Sequence, residues 1–163
     1  MTNQFSLQQS QLFDRAATLE VYRSESFRLA LRITGNPTLA EDVVQTAFLR
    51  LLQVPEIPVL IPELIKYVRR TVTNCSIDLL RNQRPQEALT DSLPNTENPA
   101  LDLEIRQALS QLSVEHQAIL ALAHGEGYSY REIADTLEIP MGTVGSRLNH
   151  ARAEFKKIWG ASE

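Results

Sequence analysis

Apolar residues recur at helical spacing along most of the chain, and two such stripes follow each other closely in its last third. The members of each stripe fall on one side of a helix: Ile133, Ala134 and Leu137, then Val144, Leu148, Ala151 and Phe155. Ser129 and Glu132 have the spacing of a capping box at the start of the first helix. Residues 138–140 form a tight connection between the two stripes, so the pattern predicts two helices joined there.

This pair of helices is typical of a helix-turn-helix, whose second helix enters the major groove of DNA. Burial of the second stripe would leave six residues pointing outward: Thr143, Gly145, Ser146, Arg147, Asn149 and His150. An ordinary helical hairpin would show the same apolar pattern, so the pattern alone leaves both interpretations open.

Three helices are predicted in the first half of the chain. The first covers residues 11–34 and has a stripe of six apolar residues: Phe13, Ala17, Val21, Phe27, Leu31 and Ile33. The second has Thr38 as its N-cap and Glu41 as the capping-box partner. Its buried stripe consists of Val44, Phe48 and Leu51. The third starts near Pro62, a residue favoured in the first helical turn.

A segment rich in proline and small polar residues, 85–99, divides the chain. It lacks apolar periodicity and is typical of a flexible linker. Two further helices, over residues 100–112 and 113–124, precede the helix-turn-helix. The predicted fold class is therefore all-α, with one small helical domain over residues 11–84 and a second over residues 100–159.

The formal net charge of −4 argues against a protein that coats DNA, but the basic residues are clustered. Residues 66–84 hold five bases and one acid, and residues 140–159 hold four bases and one acid. Two such segments suit a protein that touches DNA at two places. Solvated helix faces would show the same clustering, so the charge pattern does not decide between these interpretations.

Several classes of site and protein are disfavoured by the composition. A single cysteine, Cys75, excludes an internal disulfide framework and a cysteine-cluster zinc site, and the three histidines lack ligand spacing. No nucleotide-binding loop or catalytic pair is present, so we expect no enzyme, cofactor, metal or small-molecule substrate. The first residues do not form a signal peptide, and no apolar run would cross a bilayer. We therefore expect a cytoplasmic protein without membrane insertion.

Three groups of residues resemble one protein family. Residues 40–50, AEDVVQTAFLR, resemble the AED-x-x-Q-x-x-F helix of conserved region 2 in bacterial sigma factors. Residues 67–81 are similar to the WL-x-x-x-A-x-N-x-x-x-D-x-x-R helix of the same region, with Tyr67 in place of its tryptophan. Region 4 is matched by four short blocks: 109–112, 119–120, 128–134 and 142–148. In motif order, linker and size, the chain resembles the extracytoplasmic-function (ECF) group of the sigma-70 family.

The resemblance implies a sigma factor that binds core RNA polymerase, recognises and melts promoter DNA, and directs transcription initiation. The polymerase contacts implied are the coiled coil of the largest subunit and the flap. Residues implied in polymerase binding are Glu41, Asp42, Gln45, Phe48 and Arg50. Residues implied at the −10 promoter element are Lys66, Tyr67, Arg69, Arg70 and Asn74. Residues implied at the −35 element are Tyr130, Arg131, Thr143, Gly145, Ser146, Arg147, Asn149 and His150.

Two departures from the family pattern concern promoter recognition. The loop over residues 53–62 is more apolar and richer in proline than a base-capturing loop, which leaves the recognised −10 base open. Gly145 and His150 stand where the family often has lysine or arginine. Loss of these charges predicts weaker phosphate contacts and a shallower salt dependence of DNA binding.

Two other functions remain open from the sequence. A stand-alone helix-turn-helix regulator would bind DNA without polymerase, and it would need the region 4 pattern but not the region 2 helices. A sigma-like interaction module would bind polymerase or a regulator without promoter activity. The family resemblance also implies an anti-sigma factor as a partner, which would clamp the two domains together.

Overall fold

The structure of the protein is a computed structural model that describes residues 2–83, 99–125 and 127–161. Eight α-helices occur in these ranges: α1 (Thr2–Glu20), α2 (Arg23–Thr34), α3 (Pro37–Gln53), α4 (Ile61–Asn82), α5 (Pro99–Ser110), α6 (Val114–Leu120), α7 (Tyr130–Leu137) and α8 (Met141–Gly160). A π-helical segment, Ala121–Gly125, follows α6 directly. The described ranges contain no strand, which confirms the all-α class. The predicted linker lies outside them, apart from Pro99 at the start of α5.

Helices α2, α3 and α4 pack against one another and form the core of the first half of the chain. Leu29 on α2 and Val72 on α4 are at most 1% exposed, and α1 adds Leu19 to the same core. The buried stripe predicted for α3 is confirmed, because all its members are at most 8% exposed: Val44, Phe48 and Leu51. The start of α4 near Pro62 is also confirmed.

The single helix predicted over residues 11–34 is wrong, because the chain makes a turn between α1 and α2. Helix α1 ends at Glu20, and α2 begins at Arg23. Val21 lies in the turn and is 77% exposed, and Phe13 on α1 is 76% exposed. The turn interrupts the helical periodicity, so apolar positions before it do not continue the buried face after it. That face of α2 consists of Leu29, Ala30 and Ile33.

The predicted N-cap of α3, Thr38, is also wrong, because Asn36 performs this role. The Asn36 side-chain oxygen accepts hydrogen bonds from the backbone N–H groups of Thr38 at 2.8 Å and Leu39 at 3.2 Å. Pro37 occupies the first helical turn, where its missing N–H leaves no hydrogen bond unmade. Gly35 ends α2 with a φ of 66°, a left-handed conformation that glycine adopts without steric strain.

Replacing Asn36 with alanine should lower the free energy of unfolding by about 1 kcal/mol, because two backbone donors at the start of α3 lose their acceptor. Urea denaturation would measure this change. Thr38→Ala is the matched control, since Thr38 is exposed and its side chain caps nothing. Equal destabilisation by the two substitutions would contradict the assignment of Asn36 as the cap.

The second half of the chain forms a helix-turn-helix around its own buried residues. Helix α8 packs against α6 and α7, and its predicted stripe is largely confirmed, since Val144, Leu148 and Ala151 are fully buried. Phe155 at the end of the stripe is half-buried and stacks on Trp159, with ring centroids 5.9 Å apart. The pattern after residue 129 therefore belongs to two helices that bury one stripe each.

The two halves also contact each other. Helix α4 packs against α6 and α7, and α2 packs against the π-helical segment. We call this contact the domain seam and define it by the polar residues that meet there: Glu25, Arg69, Arg70 and Arg81 on the first half, and Glu115, Tyr128, Glu132, Asp135 and Glu138 on the second. The domain boundaries themselves remain a prediction.

Candidate functional site

Local backbone features define the start and the end of α7, the first helix of the helix-turn-helix. The capping box predicted at the start of α7 is confirmed: Glu132 accepts a 2.9 Å hydrogen bond from the backbone N–H of Ser129, and the Ser129 hydroxyl accepts one of 3.2 Å from that of Glu132. Helix α7 ends at Leu137, and the residue that follows, Glu138, has a left-handed φ of 54°. The chain therefore reverses within three residues before α8 begins.

The outward face of α8 carries the residues predicted to contact the −35 element. Ser146, Asn149 and His150 are exposed, whereas three others are half-buried: Thr143, Gly145 and Arg147. Tyr130 and Arg131 are exposed at the start of α7. A Cβ added at Gly145 would lie 3.7 Å from the Tyr130 ring, an ordinary contact, so packing does not require glycine there. The structure thus brings all eight residues to adjoining parts of one domain.

The face of α3 predicted to bind polymerase is polar and open. Asp42 and Gln45 are exposed, and Glu41 lies 3.3 Å from the guanidinium of Arg23. Arg50 forms an ion pair of 3.6 Å with Asp78 on α4.

Phe48 belongs to the core and not to this face. Its side chain is 8% exposed, and the guanidinium carbon of Arg23 lies 5.7 Å from its ring centroid. A residue that sequence reasoning missed is Leu49, which is 58% exposed and lies seven residues after Asp42, hence on the same helix face. Helical spacing counted from Asp42 would have found it.

The residues predicted at the −10 element are not equally available on α4. Lys66 is exposed and lies 3.7 Å from Glu63 on its own helix, and Asn74 is half-buried. Tyr67 is half-buried and packs against the core, which favours a structural role for its ring over stacking on an unpaired base. Arg69 and Arg70 point into the domain seam.

Arg69 is the most highly bonded side chain of the seam. Its Nε and Nη2 atoms donate hydrogen bonds of 3.0 and 2.8 Å to Glu25, and its Nη1 lies 3.4 Å from Glu132. Its guanidinium carbon lies 4.5 Å from the centroid of the Tyr128 ring. Burial opposes the charge of Arg69, but the hydrogen bonds to Glu25 and the neighbouring carboxylates outweigh it and raise the pKa of Arg69.

Two more arginines of α4 cross the domain seam. Arg70 donates a 3.1 Å hydrogen bond to the backbone carbonyl of Asp135 and lies 3.3 Å from the Glu138 carboxylate. Arg81 forms an ion pair with Glu115, and its hydrogen bond is the main cause that lowers the pKa of Glu115. Two residues predicted to hold promoter phosphates, Arg69 and Arg70, are thus bound to carboxylates of the other half.

Sequence reasoning missed the acidic partners in the seam. Glu132 was recognised only as a capping residue, and Glu138 only as part of the connection. Phosphates repel carboxylates, which are therefore unfavourable in a helix pair that contacts DNA. The acidic residues around the predicted helix-turn-helix were thus a signal in the sequence.

The stabilisation that the Glu132 carboxylate gives to the fold should weaken in acid. The pKa of Glu132 is lowered mainly by the backbone hydrogen bond from Ser129, with further contributions from the Ser129 hydroxyl and Arg69. A lowered carboxylate pKa stabilises the fold above the ordinary value of 4.5, and this stabilisation is lost as the pH falls through the lowered value.

The unfolding free energy of the protein should therefore fall below about pH 4.5 more steeply than that of Glu132→Gln, which keeps a capping side chain without the charge. Denaturant titrations over that range would measure both slopes. Equal slopes for the two proteins would show that the Glu132 carboxylate does not contribute to this loss of stability.

A short stretch before α4 is apolar and exposed. Val59, Leu60 and Ile61 are 93%, 71% and 65% exposed, respectively. Exposure of three consecutive apolar side chains to water is unfavourable, and it is typical of surfaces that bind a partner.

Metal and membrane sites find no support in the described residues. Within residues 2–83, 99–125 and 127–161, no three His, Cys, Asp or Glu side chains group as metal ligands would. Cys75 is a buried free thiol, and burial raises its pKa, which makes it a poor nucleophile. No helix in these ranges combines the length and the apolar character needed to span a bilayer.

Comparison with known proteins finds two family models that match successive parts of the chain. The family model for sigma-70 region 2 matches residues 19–86, and that for sigma-70 region 4 matches residues 102–155. Among curated relatives, the ECF RNA polymerase sigma factor SigL of Mycobacterium tuberculosis is 40% identical over 139 residues, which cover 77% of each chain. The ECF RNA polymerase sigma factor SigW of Bacillus subtilis is 25% identical over 162 residues, with 87% of each chain covered.

Two solved structures share the fold. The sigma factor RpoE in complex with the anti-sigma factor NepR, from Bartonella quintana, has a TM-score of 0.62 and 16% identity, and the match covers 92% of this chain and 99% of that one. CnrH in complex with the cytosolic domain of CnrY has a TM-score of 0.62 and 23% identity, with 91% and 89% covered. Motifs, fold and relatives agree: the chain belongs to the sigma-70 family and is an RNA polymerase sigma factor of its ECF group.

Proposed function

We propose that this sigma factor contacts core RNA polymerase through α3, the −10 promoter element through α4 and the −35 element through α8. The observation that carries this proposal is the placement of the family's region 2 and region 4 on two helical halves. Each half keeps a polar helix face open. The family consists of transcription initiation factors, and we propose that the chain works without catalysis, in the cytoplasm, where the polymerase acts.

The polymerase-binding face that we propose consists of Glu41, Asp42, Gln45, Leu49 and Arg50. Asp42 and Gln45 are exposed, and Leu49 supplies an exposed apolar side chain beside them. A polar rim around an apolar contact is the usual composition of a protein interface. Phe48 supports this face from the core, because it holds α3 in place.

Promoter binding by α4 requires that the domain seam opens. Arg69 and Arg70 are candidates for phosphate contacts, and in the structure both are bound to carboxylates of the second half. A guanidinium that pairs with a carboxylate across the seam cannot present the same donors to a phosphate. We therefore propose that the two halves separate when the factor joins polymerase and promoter, and that the chain alone binds DNA weakly.

Substitutions on the two proposed faces should separate polymerase binding from promoter use. Asp42→Ala should weaken binding to core polymerase about fivefold, because one charged contact contributes about 1 kcal/mol. Arg147→Ala should leave that binding unchanged and weaken use of the promoter by a similar factor. Fluorescence anisotropy with core polymerase and in vitro transcription would measure the two effects.

Glu56→Ala is the matched control for the polymerase face, since it removes one exposed carboxylate of the same half that lies outside α3. Unchanged polymerase binding by Asp42→Ala would refute the proposed face. Failure of the unsubstituted, folded chain to bind polymerase would instead favour a stand-alone DNA-binding regulator.

We also propose that an anti-sigma factor controls this protein. One solved relative of the same fold is a sigma factor bound to an anti-sigma factor. The closed arrangement, in which α4 contacts α6 and α7, is one that a partner touching both halves would stabilise. Crosslinking and pull-down from cells under several stresses would test this proposal, and repeated recovery of polymerase alone would contradict it.

A further inference from the structure

A cavity of about 690 Å³ lies between the two halves of the chain. Helix α2 lines it from the first half, and α5, α6, the π-helical segment and α8 line it from the second. Its apolar wall includes Leu31, Leu109, Leu120, Ala121 and Phe155. The volume falls within the range of roughly 300–1,000 Å³ that is usual for small-molecule sites.

Five basic side chains line the same cavity: Arg28, Arg32, Arg106, His124 and Arg152. No aspartate or glutamate appears among the described residues that line it. The chain as a whole carries a net charge of −4, yet four arginines gather at this one place. They come from three different helices, so guanidinium groups can approach an occupant from both halves of the chain.

The backbone beside the cavity is irregular. Residues Ala121–Gly125 form a π-helix, a rare arrangement that is frequently found at functional sites. Its His124 accepts a 3.2 Å hydrogen bond at Nε2 from Nε of Arg152 on α8. A Cβ on Gly125 would overlap the side chain of Arg32, so glycine at this position lets an arginine of α2 lie directly against the second half.

We propose that this cavity binds an amphipathic anion, a small molecule with an apolar chain and one carboxylate or phosphate group. The apolar wall would bury the chain. Arginine presents its donors in a planar fork that matches carboxylate and phosphate oxygens, and it pairs with them more strongly than with neutral acceptors. A cation of the same shape would be repelled by the guanidinium groups of Arg28 and Arg152.

Because both halves line the cavity, its occupant binds the closed arrangement and not the separated one. Ligand at about ten times its Kd would therefore shift the equilibrium towards the closed form by roughly elevenfold. This step rests on the proposed function, in which α4 must leave the domain seam to reach the promoter. The anion would thus act as a negative regulator of the sigma factor.

The binding step is tested on the full chain alone, without polymerase or DNA. Isothermal titration calorimetry would use dodecanoate, dodecyl phosphate and dodecyltrimethylammonium, each below its aggregation concentration. We expect saturable binding at one site for at least one anion, roughly tenfold tighter than for the cation. The tighter of the two anions identifies the head group. Equal affinity for the cation, or no saturable binding of either anion, would overturn the proposal.

Substitutions locate the site. Arg28→Gln and Arg152→Gln should each weaken anion binding about fivefold, and because both side chains are exposed, the fold should not depend on them. Lys156→Gln is the matched control, since Lys156 is exposed on α8 and does not line the cavity. Equal effects of the three substitutions would place binding elsewhere and overturn the assignment.

The regulatory step has a separate readout. Spin labels on cysteines introduced at Ser24 and Ala153 would report the distance between the two halves, because both positions are exposed and Cys75 is buried. The anion should narrow the distribution of distances towards the closed form. Anion binding without a change in the distance distribution would overturn the regulatory step. This outcome does not depend on whether the chain binds polymerase.

Discussion

Replacing Leu148 with alanine should lower the free energy of unfolding by about 3 kcal/mol. Leu148 is fully buried on α8, between the core-facing residues Val144 and Ala151. Truncation would remove the transfer free energy of three carbon atoms and leave a cavity that the surrounding helices cannot fill completely. Because α8 carries most of the proposed −35 contacts, promoter binding should be lost at temperatures where the first half remains folded.

Trp159 offers a direct probe of this unfolding. It is the single tryptophan of the chain, lies at the end of α8 and stacks on Phe155, so its fluorescence reports on the second half. Asn149→Ala is the matched control, since Asn149 is exposed on the same helix, and its effect should stay within about 0.5 kcal/mol. A loss below about 1 kcal/mol for Leu148→Ala would contradict its position in the core.

The double substitution Glu132→Gln and Glu138→Gln should open the domain seam about tenfold. Each carboxylate pairs with an arginine of α4, at 3.4 Å for Arg69 and 3.3 Å for Arg70. All four side chains are partly solvated, so the two pairs together contribute only about 1.4 kcal/mol. Glutamine at Glu132 keeps the capping box of α7, because its amide oxygen can still accept from the backbone of Ser129.

The open fraction can be measured as the distance between spin labels on the two halves, and DNA binding by the free chain should rise with it. Glu56→Gln with Glu104→Gln is the matched control, since both residues are exposed, lie outside the seam and change the net charge by the same amount. If the two double variants both bound DNA more tightly, and to the same extent, the cause would be the change in net charge and not the opening of the seam.

Features encoded by neighbouring residues could be predicted from the sequence. The capping box of Ser129 and Glu132 joins residues three apart, and the stripe of Val144, Leu148 and Ala151 follows the helical repeat, so both are legible in the chain. The cap of α3 was placed wrongly because Asn36 and Thr38 are both good capping residues. Pro37 decides between them, since a proline fits the first helical turn and favours a cap directly before it.

Features that depend on distant residues could not be predicted. Arg69 and Glu132 are separated by 63 positions, and nothing in the sequence near either residue indicates the other. The family resemblance implied Arg69 and Arg70 at the −10 element, and that implication follows from their positions in a motif along the chain. In the closed chain both arginines pair with carboxylates of the second half, and this pairing depends on tertiary packing. The cavity with its five basic residues also depends on tertiary packing.

The two oxygens of Glu132 face different partners. Oε1 lies 3.4 Å from Arg69, whereas Oε2 accepts from the backbone and hydroxyl of Ser129. Withdrawal of Arg69 therefore leaves the start of α7 held as before. If the two halves separate as proposed, the first turn of α7 therefore keeps its cap, and the helix-turn-helix needs no refolding of that turn when it meets the promoter.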